Sequence, residues 1–156
     1  MSCNDRLAEY LRDNGVPFQV QRHTRVFTAQ EVAATEHIPG KQLAKVVMAV
    51  ADGKPVILAL AASYRVDWTK AAAVLGVTEV RLAEEQEFAA TFPNCEVGAM
   101  PPFGNLYGLD VYVDHILADD ETIVMRAGTH TDTLSLRYAD FARRVQPSVG
   151  QFGRHA

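Results

Sequence analysis

Two apolar runs, residues 44–50 and 55–62, are separated by Asp52-Gly53, and this arrangement constrains the fold more than any other part of the chain. Asp-Gly is the strongest short hairpin signal, because a tight type I′ turn needs positive φ at both central positions. Each run has the length and β-branched content of a strand buried on both faces. The pair therefore predicts the centre of a sheet, with both faces covered. Lys45 opens the first run as its one charged residue. Its stem is held at the core edge, and its ammonium either snorkels to solvent or is aimed into a cleft.

Helical and extended patterns alternate around this pair. Leu7, Tyr10 and Leu11 sit at helical spacing over residues 5–14, with Gly15 as a stop. Val16, Phe18 and Val20 alternate with polar neighbours and predict a short strand. Thr28-Ala-Gln-Glu31 has the form of a capping box, opening a short helix that ends near His37. Asp67 is placed to cap a helix with Trp68, Ala71, Ala72 and Leu75 on its apolar face and Gly76 at its end. Residues 79–82 predict a strand, and residues 83–92 an acidic helix with Phe88 and Phe92 on one face. Residues 109–113, 122–127 and 133–136 read as strands, and residues 138–145 as a closing helix with Tyr138, Phe141, Ala142 and Val145 inward. The stretch 147–156 is Gly-rich and polar and reads as a loose tail. The expected class is α/β (α+β): a mixed, curved sheet surrounded by helices, in one domain over residues 1–146.

Composition narrows the function. A net charge of -4 argues against coating nucleic acid by bulk electrostatics, but allows a few phosphates gripped by a local group of Lys and Arg. His23, His37, His115, His130 and His155 show no ligand spacing, and no nucleotide-binding glycine loop is present. No metal or cofactor is expected. Cys3 and Cys95 are too few and too scattered for a disulfide framework, so a reducing cytoplasm is the expected compartment. No apolar run approaches a membrane span, and the first residues lack the layout of a signal peptide.

The candidate site centres on Cys-Glu-Val-Gly-Ala-Met-Pro-Pro-Phe-Gly, residues 95–104. Proline fixes φ and glycine leaves backbone bare, so Gly98-x-x-x-Pro102 describes a rigid loop suited to a pocket wall, or a plain connector. Gly128-Thr-His130-Thr-Asp132 is a polar turn whose imidazole either lines a pocket mouth or is simply a turn residue. Cys95 has no activating neighbour, and neither Ser63 nor Ser135 lies in a nucleophile elbow. A pocket without a protein nucleophile can still hydrolyse an activated ester by positioning water and stabilising an oxyanion.

In order along the chain come Lys45 at a strand start, the Asp52-Gly53 hairpin, a helix ending Leu75-Gly-Val and Val80-Arg-Leu before an acidic helix. Val97-Gly-Ala-Met-Pro-Pro-Phe-Gly104, Asp114 after a strand and Ala127-Gly-Thr-His130 follow. Together these resemble the YbaK/prolyl-tRNA-synthetase-associated domain family over residues 7–145. The resemblance implies trans-editing, the hydrolysis of the ester joining a wrong amino acid to tRNA. By position it implies that Lys45 holds the terminal adenosine end and that Gly98, with Pro102, supplies backbone contacts at the ester. Water attacks, assisted by a hydroxyl of the terminal ribose.

The chain looks closest to the branch acting on Ala-tRNA(Pro), with Val47, Met100, Pro102, Phe103, Gly128 and His130 as expected pocket residues. Val46 stands where many relatives carry Thr. Lys41, Lys45, Arg65 and Lys70 are candidates to hold the single-stranded CCA end, and residues 24–31 to rim the pocket. The expected partners are the acceptor end of mischarged tRNA(Pro) and a prolyl-tRNA synthetase or translation factor, with the protein a monomer. Removal of Cys, Ser or Thr, a non-catalytic docking module and a small-molecule esterase are the alternatives.

Overall fold

The chain reverses at Asp52 and Gly53, both at positive φ (47° and 84°), and Ala51 comes to face Lys54. This turn joins two antiparallel strands, here named in a computed structural model that describes residues 1–26, 28–36 and 39–155. They are β2 (Leu43–Ala51) and β3 (Lys54–Ala61). Before them lie α1 (Cys3–Asp13), β1 (Gln19–Arg22) and α2 (Ala29–Glu36). After them come β4 (Tyr64–Val66), α3 (Trp68–Leu75), β5 (Val80–Leu82), α4 (Glu85–Phe88), β6 (Val111–Asp114) and α5 (His115–Ala118). The chain closes with β7 (Thr122–Arg126), β8 (Asp132–Arg137), α6 (Tyr138–Val145), β9 (Ser148–Gly150) and β10 (Gly153–His155).

Among the described residues the main sheet runs β1-β8-β7-β2-β3-β6-β9, with β5 also on β2, and β10 pairs β4 separately. Parallel and antiparallel pairs mix, as expected. On the edge of β2 away from β3, β7 pairs in parallel only at Leu43 and Ala44, and β5 pairs antiparallel only at residues 49–51. Residues 45–47 have no strand neighbour there. Gln42 O accepts from Val124 N–H and Met48 O from Ala83 N–H, so the alternation of the ladder turns Val46 N–H and C=O into this gap.

Alternation along the hairpin builds two cores. Met48, Val50, Ile57 and Ala59 pack with Leu7, Leu11, Phe103 and Phe141 beneath α1 and α6. Ala49, Val56, Leu58 and Leu60 pack on the other face with Ala71 of α3 and Phe152. The capping chemistry is as expected: Asp67 Oδ1 accepts from Thr69 and Lys70 N–H, and Thr28 and Glu31 bond reciprocally at 3.1 and 3.0 Å. The expected end of the second helix near His37 lies outside the described residues.

Four expectations change. The strand expected at residues 16–20 forms instead at Gln19–Arg22 with its side chains exposed, while Val16 and Phe18 lean onto the core. The acidic helix breaks after Phe88 into a 3₁₀ turn at Ala89–Thr91, which brings both Phe88 and Phe92 inside. The tail is not loose. β9 adds in parallel to β6, Phe152 is fully buried, and Asp114 Oδ1 accepts from Phe152 and Gly153 N–H at 2.9 and 2.8 Å. Finally, Cys3 and Cys95, 92 residues apart, form a disulfide, because α1 docks its first turn on the loop after Thr91. Among the described residues no helix is long and apolar enough to cross a membrane.

Candidate active site

The gap beside β2 opens into a cavity of about 160 Å³. It is lined by residues 43–46 of β2, by Arg126 at the end of β7, and by Gly98 and Met100. Ala29 and Gln30, at the start of α2, are the lining residues that fall in the stretch 24–31 among the described residues. An engineered cavity of similar size, about 150 Å³, holds benzene, so there is room for a small aminoacyl group.

Lys45 stands at the edge of this cavity and also lines a neighbouring hollow. Among the described residues its ammonium has one long contact, 3.5 Å to Ala62 O. Burial, and then the nearby Arg65 guanidinium, lower its pKa from the ordinary lysine value. Gly98 takes φ +86°, and a Cβ there would sit 3.4 Å from the His130 ring. Its N–H is held by the Met100 thioether at 3.2 Å, a weak acceptor that a carbonyl oxygen can displace.

Arg126 is 7% exposed. Its Nη1 donates to Gly98 O at 3.0 Å and to His130 Nδ1 at 3.0 Å. A guanidinium only donates, so Nδ1 accepts, and the ring proton sits on Nε2, which donates to Val97 O at 2.9 Å. The Arg126 Nη2 is buried with no hydrogen-bond partner among the described residues. Burial pulls its pKa below the usual arginine value.

The loop holding Gly98 and the turn holding His130 are tied together. Glu96 N–H donates to Gly128 O and Gly128 N–H to Ala99 O, while His130 N–H donates to Glu96 Oε2 at 2.8 Å. Burial alone would raise the Glu96 pKa, but that N–H and the Arg25 guanidinium lower it. Gly128, at φ +106°, packs where a Cβ would strike Cys3, so the disulfide anchors both segments to α1.

Lys45, Gly98 and Met100 thus meet at one cavity. The other expected pocket residues do not line it. Val47 faces the neighbouring hollow, because alternation carries it to the opposite side of β2 from Val46. Phe103 is fully buried between Tyr10 and Phe141, and Pro102 is buried beside it. Gly128 is packed on Cys3, and His130 is a buried brace behind Gly98 rather than a residue of the mouth. Arg126 and Val46 line the cavity in addition to the residues expected there.

The aminoacyl-tRNA editing domain model matches residues 23–144. The chain belongs to this family. It is therefore an aminoacyl-tRNA editing hydrolase by family, with the fold that trans-editing domains share. It is 28% identical over 158 residues to the multifunctional Ser/Thr-tRNA deacylase ProXp-y of Escherichia coli K12, covering 98% of this chain and 94% of that one. It is 27% identical over 154 residues to a proline–tRNA ligase of Thiobacillus denitrificans, covering 93% of this chain and 26% of the ligase. A solved structure of a candidate trans-editing enzyme for prolyl tRNA synthetase superposes with TM-score 0.82 at 18% identity, covering 99% of this chain and 98% of that one, a likeness of fold.

Proposed function

We propose that this chain removes a small, wrongly attached amino acid from tRNA by hydrolysis of the aminoacyl ester, with Ala-tRNA(Pro) as substrate. The supporting observation is that Lys45 and Gly98 meet at a cavity sized for a small side chain, with donors left open or weakly held. The ester carbonyl displaces the Met100 sulfur from Gly98 N–H, which then faces the oxyanion. Lys45 holds the ribose-phosphate end, and water attacks the carbonyl carbon. The acyl C–O bond then breaks, the ribose oxygen takes up the proton that water gives up and leaves as a hydroxyl, and the amino acid is released as its carboxylate. Cys95 is consumed in the disulfide and both His130 nitrogens are engaged, so water is the nucleophile this site accommodates. The protein acts in trans as a monomer on the acceptor end of the mischarged tRNA.

One observation favours a second choice of amino acid. Arg126 lines the cavity, and its Nη2 is buried without a hydrogen-bond partner among the described residues, so a rotation of the guanidinium that brings this donor to the ligand favours a side chain carrying oxygen. Seryl and threonyl esters meet that condition, and alanyl esters do not.

The test is deacylation of tRNA charged with Ala, Ser, Thr, Cys and Pro, by wild type and by Lys45→Ala. Selective loss of alanine that vanishes in the variant supports the first choice, and preference for Ser or Thr the second. Binding of tRNA without hydrolysis of any ester would leave a docking module instead.

A further inference from the structure

Of the fifteen Lys and Arg side chains, seven have a carboxylate or an aromatic ring as partner among the described residues. Arg22, Arg25, Lys54, Arg81 and Arg143 each face a carboxylate, and Arg6 and Arg12 lie over the rings of Tyr107 and Phe18. Lys45, Arg65 and Arg154 do neither among the described residues, and they line one hollow together with Val47, Trp68 and Leu82. Arg154 sits directly opposite Arg65 in the β4–β10 ladder. Like charges in cross-strand register repel, so the fold maintains an unfavourable pair beside a half-buried ammonium.

The pair is held firmly. Asp67 N–H donates to Phe152 O, Asp114 binds the N–H groups of Phe152 and Gly153, and the Tyr64 and His155 rings meet at 4.7 Å. Arg154 is therefore fixed at the hollow by strand pairing, despite lying two residues from the end of the given sequence. In a chain of net charge -4, a local group of unpaired cations is a place for a polyanion. The half-buried Trp68 beside them offers a face for a base.

We propose that this hollow binds the phosphodiester backbone of the single-stranded 3′ end of tRNA, with Arg65 and Arg154 on phosphates preceding the terminal nucleotide and a base on Trp68. Lys45 borders both hollow and cavity, so the strand passes from one to the other over its ammonium. The inference rests on the deacylase reading and extends it to residues that reading does not use.

The test compares wild type, Arg65→Gln/Arg154→Gln, Arg65→Lys/Arg154→Lys, Trp68→Ala and the remote control Arg143→Gln. Two readouts are taken from about 50 to 200 mM salt: KM and kcat on a mischarged tRNA, and binding of a short RNA ending in CCA. The double Gln variant should raise KM about tenfold, more than it lowers kcat, and reduce the salt slope of RNA binding by about 0.7 for each phosphate no longer neutralised. The double Lys variant should restore most of the slope, and Trp68→Ala should weaken RNA binding about tenfold.

Equal slopes and affinities in wild type and the double Gln variant would overturn the proposal. So would an equal loss in Arg143→Gln, or competition by inorganic phosphate as strong as by the RNA. If wild type hydrolyses no mischarged tRNA the deacylase reading falls, while the RNA-binding comparison still decides what the hollow holds.

Discussion

Asp114 and Arg126 are both buried charges at strand ends, and they are satisfied to very different degrees. Asp114 Oδ1 accepts from Phe152 and Gly153 N–H, and Oδ2 from Ile116 N–H at 3.3 Å. Its bonds close a part of the fold, fastening the last strands to β6. Arg126 braces Gly98 and His130 through one nitrogen and leaves the other without a partner at the wall of a cavity, among the described residues. A charge whose bonding capacity is met by its own backbone serves stability. A charge left partly unmet costs stability, so its place in a cavity lining is not explained by the fold alone.

The largest expected effect breaks the first of these. Asp114→Ala leaves three buried or half-buried N–H groups without acceptors and frees the C-terminal strands, at a cost of about 3–5 kcal/mol. In thermal melts this should lower Tm by on the order of 10 °C. A fall of only a degree or two would mean the tail holds itself without the carboxylate.

Next is the disulfide. Reduction, or Cys3→Ser with Cys95→Ser, releases a long covalent loop and should cost about 2–4 kcal/mol, read as a shift in urea midpoint with and without a dithiol reductant. Because the bond also anchors the segments bearing Gly98 and His130, the reduced protein should lose activity before it unfolds.

Arg126→Met sharpens the contrast. Replacing it by methionine removes an incompletely satisfied charge but leaves Gly98 O and His130 Nδ1 without their donor, and should cost about 1–3 kcal/mol, less than the loss of Asp114. Hydrolysis should fall at least about tenfold, and more for seryl than for alanyl ester if the guanidinium meets a side-chain oxygen. Gly98→Ala should cost about 1 kcal/mol for its positive φ. It should also depress activity, because the strain falls on the backbone that presents the Gly98 N–H to the cavity.

The smallest effect concerns Lys45. Its pKa is lowered in the folded protein by burial and Arg65, so the unfolded chain holds that proton more tightly. The penalty is present at lower pH and disappears as pH rises from the folded pKa towards the ordinary lysine value of 10.5. Stability should rise through that window, and Lys45→Met should flatten the rise in urea midpoints measured from about pH 8 upward.

The hairpin, the caps and the strand carrying Lys45 are legible in the sequence because their signals are local: positive-φ residues, capping oxygens and apolar runs. The pairing of Lys45 with Gly98 follows from the family resemblance rather than from spacing. Arg126 reads as part of an ordinary strand, yet it has the same mark as Lys45, a lone charge ending or opening an apolar run of β-branched residues. The order of the tail is hidden because its fixing partners, Asp114 and Asp67, are remote in sequence and bind its backbone, which composition does not report. His130 misleads for a related reason: a polar turn residue looks exposed until both its nitrogens are seen to be taken.

The gap beside Val46 has a topological origin. β7 runs with β2 and β5 runs against it, so the two neighbours approach along one edge from opposite directions and both leave the sheet where they would meet. No slip of register joins them, because one continuous strand cannot be parallel and antiparallel to the same partner. The location of the cavity is thus inherited with the strand order, whereas its lining comes from single side chains at three segment ends. Such a scaffold lets the lining change by point substitution while the cavity itself stays where the sheet has its seam.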